Sequence, residues 1–499
     1  MKPDAPSRVR RVMQDGGVAM SEVELKLVIS PEGAEALAGS EVLSAAPVRR
    51  MQHAIYFDTP GRALAAQGIS LRIREAEGKR IQTTKQAPHG NAALFERGEW
   101  EKLVDGDQPV LDDITPVRAI LKEDGGDLVR MFDVDIDRRV WTLHHDGADI
   151  EVALDGGEVR IGPRHAPVHE CELELKSGPA AALFSLARQI AQTAPVRIGV
   201  LSKSDRGHML LDPAPESHKA DPIHLDPEST AADAFRRIAA SCLRQFRLNE
   251  DLLLATRGAE PLHQARVALR RLRSAFSIFR PMLGDEGRPL ANELRWLASE
   301  LGPARDLDVI LHRASGGTLE DSLRRAREDA HDRAAKALGS ERAARLMIDL
   351  TEWLAVGAWL RDDAHAAARA MSAGEFAAAA LARFRRKVRK DGRNIAKIED
   401  DARHEVRKDA KKLRYAVDFF ETLFHRHKSR KRFVASLKDL QEQLGTLNDM
   451  ATAPRLLAEL GVADDPHASD LLGHARRKPL LRAAAGAYDD LVEAKRFWS

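Results

Sequence analysis

The side chains with the most chemical potential in this chain sit at alternating positions. In Glu22-Val23-Glu24-Leu25-Lys26-Leu27, an extended backbone puts Glu22, Glu24 and Lys26 on one face and Val23, Leu25 and Leu27 on the other. The alternation returns in Leu71-Arg72-Ile73-Arg74, Gln82-Thr83-Thr84-Lys85, Glu99-Trp100-Glu101, Ile150-Glu151-Val152 and Glu170-Cys171-Glu172-Leu173-Glu174-Leu175. One charged face is ordinary on a solvated strand. Several in one stretch, carrying acids and bases together, predict a sheet curled or closed around a charged, wet interior. Its acids, Glu22, Glu24, Glu172 and Glu174, are hard oxygen ligands suited to Mg²⁺ or Mn²⁺. Its bases, Lys26, Arg72, Arg74, Lys85, Arg138, Lys203 and Arg206, suit a chain of phosphates. Hydrolysis there would rest on positioning and electrostatics, with a metal neutralising charge on the transferred phosphoryl group and helping to activate water. Glu22, Glu24, Lys26 and Lys85 are the candidate catalytic residues. Arg139 and His144-His145 read as surface groups.

A second constellation lies further along. His263, Arg266, Arg270 and Arg273 are spaced by three, four and three residues, so a helix aligns them on one face, and His404, Arg407, Lys411 and Arg414 repeat the arrangement 141 residues later. Leu301-Gly302-Pro303-Ala304-Arg305-Asp306 is answered by Leu444-Gly445-Thr446-Leu447-Asn448-Asp449. Stacked cations repel one another unless an anion lies among them, and the duplicated spacing argues for a phosphate-lined groove over a solvated face. Aromatic platforms for bases are scarce: Tyr415 stands alone near the second helix, and Phe276 and Phe279 read as core. A phosphate polymer without bases therefore fits better than nucleic acid.

These side chains need two different scaffolds. From Glu22 to about Leu211, short alternating runs are divided by turn signals such as Pro60-Gly61, Glu77-Gly78, Asp146-Gly147 and Gly156-Gly157, which reads as antiparallel β structure with a few helices. The clearest helix there runs from Pro179 to Thr193. Residues 212–228 are proline-rich and read as a linker. Beyond Ser229 the chain reads as helices, and its internal repeat predicts two related halves, about 229–365 and 366–499, about a pseudo-twofold axis. Residues 1–20 read as an unstructured tail, and the stretch 315–400 as helices without further meaning. The expected fold is thus α+β and multidomain: an antiparallel β tunnel or barrel over 21–211, then an all-α bundle over 229–499.

Composition sets the outer bounds. At 499 residues the chain implies more than one domain. Residues 1–220 hold 28 Lys and Arg against 34 Asp and Glu, while 221–499 hold 50 against 42, so an acidic half precedes a basic one. No apolar run approaches the roughly 18 residues of a membrane span. The first twenty residues lack a signal-peptide core, and two cysteines give no disulfide framework, so the cytoplasm is the expected compartment.

Both halves also resemble known families. Glu22-Val23-Glu24-Leu25-Lys26, Tyr56-Phe57-Asp58-Thr59, Leu71-Arg72-Ile73-Arg74, Thr84-Lys85, Glu99-Trp100-Glu101, Arg138 ahead of Trp141, Glu170-Cys171-Glu172-Leu173-Glu174 and Ser202-Lys203-Ser204 resemble the CYTH domain of the triphosphate tunnel metalloenzymes. The repeated His-x-x-Arg helices resemble the CHAD domain, and the order of the two is similar to that of bacterial two-domain inorganic triphosphatases. The resemblance implies hydrolysis of tripolyphosphate to pyrophosphate and phosphate with Mg²⁺ or Mn²⁺. It implies metal held by Glu22, Glu24 and acids of the 170–174 strand, and substrate held by the named lysines and arginines. It implies inorganic polyphosphate on the helical half, and hence association with polyphosphate granules. It leaves open adenylate cyclase-like or thiamine triphosphatase-like substrates and a non-catalytic polyphosphate scaffold. Asp155 and Asp205 receive no role from it.

Overall fold

The computed structural model describes residues 11–12, 18–86, 94–312, 317–459 and 476–498. Two compact units emerge, residues 1–216 with 339–357 and residues 217–338 with 358–499. The strand pattern begins inside the stretch expected to be a tail: β1 (Arg11–Val12) pairs with the start of β2 (Val18–Ile29), and the other residues of 1–17 lie outside the described set.

In the first unit follow β3 (Val48–Asp58), β4 (Ile69–Ala76), β5 (Lys79–Gln86), β6 (Leu94–Val104), β7 (Val129–His145), β8 (Ala148–Ile161), β9 (Arg164–Ser177) and the short β10 (Val196–Ile198). Their order, β2-β6-β5-β4-β3-β7-β8-β9, closes through a second pairing of β2 with β9, in which Glu24 faces Glu174 and Lys26 faces Glu172. A closed antiparallel ring of this kind has an inside, which is the curled sheet that the charge alternation predicts.

Outward apolar faces are covered by helices α1 (Pro31–Ala38), α2 (Ala63–Ala66), α3 (Val117–Asp124) and α4 (Ala181–Thr193), whereas α5 (Lys203–Leu211) packs on an inner apolar cluster that includes Ala54, Phe132, Val134 and Val168. Leu183, Phe184, Leu186, Ala187 and Ile190 of α4 are buried, and α4 packs on β2 and β9. Each of the leucine, phenylalanine and isoleucine side chains, fully buried, is worth about 1.5–3 kcal/mol. The outer faces of β3 and β4 pack Ile55, Phe57, Leu71 and Ile73 against Leu64 and Val117. The ring therefore takes its cohesion from its covered outer face and from the inner cluster under α5, which leaves the rest of the inner face for charge.

The second unit is helical: α6 (Ala231–Thr256), α7 (Ala259–Ile278), α8 (Arg280–Leu283), α9 (Arg288–Glu300), α10 (Gly302–Leu311) and α11 (Gly317–Leu338). Helix α12 (Glu341–Val356) belongs to the first unit; α13 (Ala366–Ala370), α14 (Ala373–Asp391), α15 (Asp400–Phe419), α16 (His427–Glu459) and α17 (Arg477–Glu493) return to the second. The repeat is visible at the helix starts. Thr230 caps α6 and Ser372 caps α14, and between them the chain makes reciprocal bonds, Ala231 N–H to Met371 O at 2.8 Å and Ala373 N–H to Ser229 O at 2.7 Å. The two basic helices, α7 and α15, pack on one another as the repeat predicts. Phe235, Phe279, Phe376, Phe420 and Trp359 form an aromatic core, with Phe279 and Phe376 stacked at 4.6 Å. The end of the proline-rich segment is seated on this unit: Ile223 and Leu225 are buried, and Thr422 bonds the backbone of both.

Candidate active site: a charged tunnel

Alternate residues of the ring line a cavity of about 450 Å³. From β2 come Glu24 and Lys26; from β4, Arg72 and Arg74; from β5, Thr83 and Lys85; from β6, Glu99 and Glu101; from β7, Arg138; from β9, Glu172 and Glu174. Ser202, Lys203 and Ser204 enter from the start of α5. Among its lining residues Tyr56 is the one aromatic, and the rest of its apolar lining is aliphatic, including Ala54, Val134 and Ile136.

At the β2–β9 seam the charges are buried and interlocked. Lys26 lies 3.0 Å from Glu24 and 3.9 Å from Glu170, and it bonds Glu172. Lys203 reaches Asp155 at 2.7 Å and Glu172 at 3.0 Å and also bonds Glu170. Arg138 forks onto Asp155 at 2.7 and 2.6 Å and touches Glu172. Four carboxylates thus face three cations, and all but Arg138 are buried below a tenth of their surface. Desolvation alone would neutralise such groups. Burial does oppose the charge on Glu172 and Asp155, but Lys203 leads the neighbouring cations that outweigh it and hold both carboxyls below their usual range. Burial likewise opposes the charge on Lys26 and Lys203, and the surrounding carboxylates hold both ammoniums above the ordinary lysine value.

Away from this seam the interior turns basic. Arg74 is pushed down to about 10, first by the neighbouring guanidinium of Arg72, then by burial. Two arginines forced together without enough counter-charge make a place for an anion. Lys85 lies 3.1 Å from Glu99 and Arg74 3.5 Å from Glu101, while Arg72 donates to the Tyr56 hydroxyl at 3.4 Å. The Arg72 and Lys85 charges also help draw the buried Tyr56 phenol below its usual value, although burial opposes them.

The fold gathers most of the residues expected from sequence. Glu24, Lys26, Arg72, Arg74, Lys85, Arg138, Glu172, Glu174 and Lys203 all line the cavity. The side chain of Glu22 lies outside the described residues, although its backbone pairs with Arg97 on β6. Arg206 is not part of the lining: it sits on α5 with its guanidinium 3.9 Å from Glu170. Glu174 lines the cavity and pairs with Lys176 at 2.6 Å. Among the described residues the acids whose oxygens gather within 4.8 Å of one another are Asp155, Glu170 and Glu172, an all-oxygen set that fits a hard divalent cation. Asp155 is the residue sequence reasoning missed; its signal was the alternation Glu151, Ala153, Asp155 on β8, which carries it opposite Glu170.

Two other motif residues prove architectural. Asp205 completes a capping box with Ser202, so it fixes the first turn of α5, which presents Lys203. Asp58 accepts from the N–H groups of Thr59, Leu64 and Ala65 at 2.7–3.0 Å and thereby folds the turn after Tyr56.

The second unit holds a broader groove of about 880 Å³. Arg266, Arg270 and Arg273 of α7 line it with His404, Arg407 and Lys411 of α15. Arg266 and Arg273 are held below the usual arginine value, chiefly by burial and then by neighbouring arginines. His263 and Arg414 are not in the lining; Arg414 pairs with Asp418 at 3.0 Å. A wall the sequence did not announce comes from Arg288 and Arg295 of α9, joined by Arg280.

Residues 20–207 match the CYTH domain model and residues 237–458 the CHAD domain model. An inorganic triphosphatase of Haemophilus influenzae is 28% identical over 204 residues, 39% of this chain; the chain spans about half of that relative, 56% of its length. An uncharacterised protein of Mycobacterium tuberculosis is 29% identical over 413 residues, 73% of this chain and 75% of its own length. Among solved structures, a CHAD domain from the plant Ricinus communis is 29% identical, covering 56% of this chain and 98% of its own, with a TM-score of 0.47.

Proposed function

With a CYTH domain at 20–207 and a CHAD domain at 237–458 the chain is a two-domain CYTH–CHAD protein, and we propose that its tunnel hydrolyses inorganic triphosphate to pyrophosphate and phosphate. The observation that carries this reading is a buried acid cluster beside a basic arm, in a cavity where, among the described residues, Tyr56 is the one aromatic and its hydroxyl is engaged by Arg72. Phosphates bind along Arg72, Arg74 and Lys85, where the mutual repulsion of the arginines is relieved by the substrate's negative charge. Glu24, Asp155, Glu170 and Glu172 would hold Mg²⁺ or Mn²⁺. When bound, such an ion supplies charge neutralisation and a more acidic water. Lys26 and Lys203 keep those carboxylates ionised and oriented, and Arg138 ties the cluster to the phosphate arm. Water attacks the terminal phosphorus, the bridging P–O bond breaks, pyrophosphate leaves, and the water's proton passes to solvent.

Side-by-side turnover of tripolyphosphate, ATP and thiamine triphosphate tests the substrate. Preference for tripolyphosphate supports the reading; preference for a triphosphate with an organic head would overturn it.

The groove is the proposed seat of inorganic polyphosphate, bound through arginine forks and lysine point charges. That would place the protein with polyphosphate granules. Competition between polyphosphate and RNA at matched salt tests it: RNA displacing the polymer at equal phosphate concentration would contradict it. Among the described residues no helix is long and apolar enough to cross a membrane.

A further inference from the structure

Helix α12 lies inside the stretch matching the CHAD model, yet it folds as part of the first unit. The chain enters that unit after Leu338 and leaves it after Gly357. Ser340 caps the helix, and Leu346, Met347, Ile348, Leu350 and Leu354 are buried along it. It packs on α4 and on β10. A polar lock fixes its register: Arg188 of α4 donates to Asp349 at 2.8 Å and to Glu352 at 2.7 Å.

What α12 covers leads directly to the tunnel. β10 pairs with the end of β2, Ile198 opposite Leu27, one residue beyond Lys26. The next residue, Gly199, donates its N–H to the carbonyl of Lys26 at 2.8 Å, and a Cβ there would stand 3.0 Å from that of Lys26. Ser202 then caps α5, which begins at Lys203. One short segment, 196–203, therefore carries Lys203 at its end and is bonded through Gly199 to the backbone of Lys26 on β2, and α12 is packed against its β10 end.

Resting on the reading of the tunnel as a triphosphate site, we propose that α12 is a positioning element of that site: locked by Arg188 to Asp349 and Glu352, it fixes β10 and through it Lys26 and Lys203. A segment from within the CHAD-matching half thereby completes the tunnel. Small displacements of groups that hold reacting atoms are costly, and a shift on the order of 1 Å can lose about a hundredfold in rate.

The experiment uses the full chain with Arg188→Glu, the charge exchange Arg188→Glu with Glu352→Arg, and Gly199→Ala, which presses on Lys26 directly. Triphosphate turnover and Mn²⁺ affinity are read together, with far-UV circular dichroism reporting the folded fraction. We expect Arg188→Glu to lower kcat about tenfold with a smaller change in KM, to weaken Mn²⁺, and to share this signature with Gly199→Ala; the charge exchange should restore most of both. Unchanged kcat and Mn²⁺ affinity in folded Arg188→Glu, or losses that only track the unfolded fraction, would overturn the proposal. If the unaltered chain binds Mn²⁺ but turns over no triphosphate, the hydrolytic reading fails while the Mn²⁺ comparison still decides the role of α12.

Discussion

The tunnel and the groove are both lined with cations, but they balance charge in different ways. In the tunnel Lys26, Lys203 and Arg138 meet buried carboxylates of Glu24, Asp155, Glu170 and Glu172. In the groove the acids of the lining, Asp285 and Glu405, are exposed, and the buried flanks of Arg266 and Arg273 lie next to other arginines. The first arrangement suits a cation and an anion held together, which is what phosphoryl transfer requires. The second suits an anion alone. A closed ring makes the difference possible, because its covered outer face and the apolar cluster under α5 supply the cohesion that the charged part of the interior cannot.

The largest break in this comparison is expected at Lys203. Lys203→Met leaves Asp155, Glu170 and Glu172 buried without their shared cation, a change of the kind that costs about 3–5 kcal/mol. Urea unfolding of the first unit should show that loss, and added Mn²⁺ should recover more stability in the variant than in the unaltered chain, since it replaces the missing charge. An unshifted midpoint would mean the cluster is not the interlocked unit described.

In the groove, Arg266→Ala with Arg407→Ala should weaken polyphosphate and flatten the log–log salt dependence of binding by about 1.4–1.8, as two fewer phosphates are neutralised. A salt slope that stays the same would remove these residues from the polymer path.

Acid and base should act on the tunnel cluster from opposite ends of the pH scale. Glu172 and Asp155 have lowered folded values, so their contribution to stability is complete above about pH 4–4.5 and is lost only as the pH falls through those lower values. Lys26 and Lys203 have raised ones, so theirs is complete below about pH 10 and is lost as the pH rises beyond. Because burial holds His208 below the ordinary imidazole value, its contribution rises until about pH 6.5–7, and a plateau in first-unit stability between about pH 7 and pH 9 is expected from equilibrium unfolding. A midpoint drifting steadily across that range would contradict it.

The smallest contrast is between the paired histidines. His404 lines the groove, bonded to Asn448 at 2.8 Å, whereas His263 does not. Calorimetry should find polyphosphate binding reduced about two- to fivefold by His404→Gln, worth the 0.5–1 kcal/mol of one ordinary hydrogen bond, and by His263→Gln not at all.

How much of this was legible in the sequence follows from what each residue depends on. Alternation depends only on the backbone, so the inner face of β2, β4, β5 and β9 could be read directly. The spacing of Arg266, Arg270 and Arg407 likewise follows from the helix alone. For Asp155 alternation offers only its face, shared with Glu151 and Ala153; its place in the acid cluster lies in a strand register that sets it opposite Glu170. Arg206 shows the converse: it lies three residues beyond Lys203, on a helix whose capped first turn sends Lys203 into the tunnel and leaves Arg206 outside the lining. The partner of α12 was least legible. Its apolar stripe announces that it packs, but nothing in it says that α4 and β10 are what it packs against.

The central claim is tested most directly by phosphate release from tripolyphosphate by the purified chain, with Mg²⁺, with Mn²⁺ and with chelator, alongside Glu24→Ala. Glu24 stands 3.0 Å from Lys26 at the seam of the ring, and the account predicts metal-dependent release that the chelator abolishes and the variant loses. Release that persists in Glu24→Ala, or none from the unaltered chain with either metal, would contradict it.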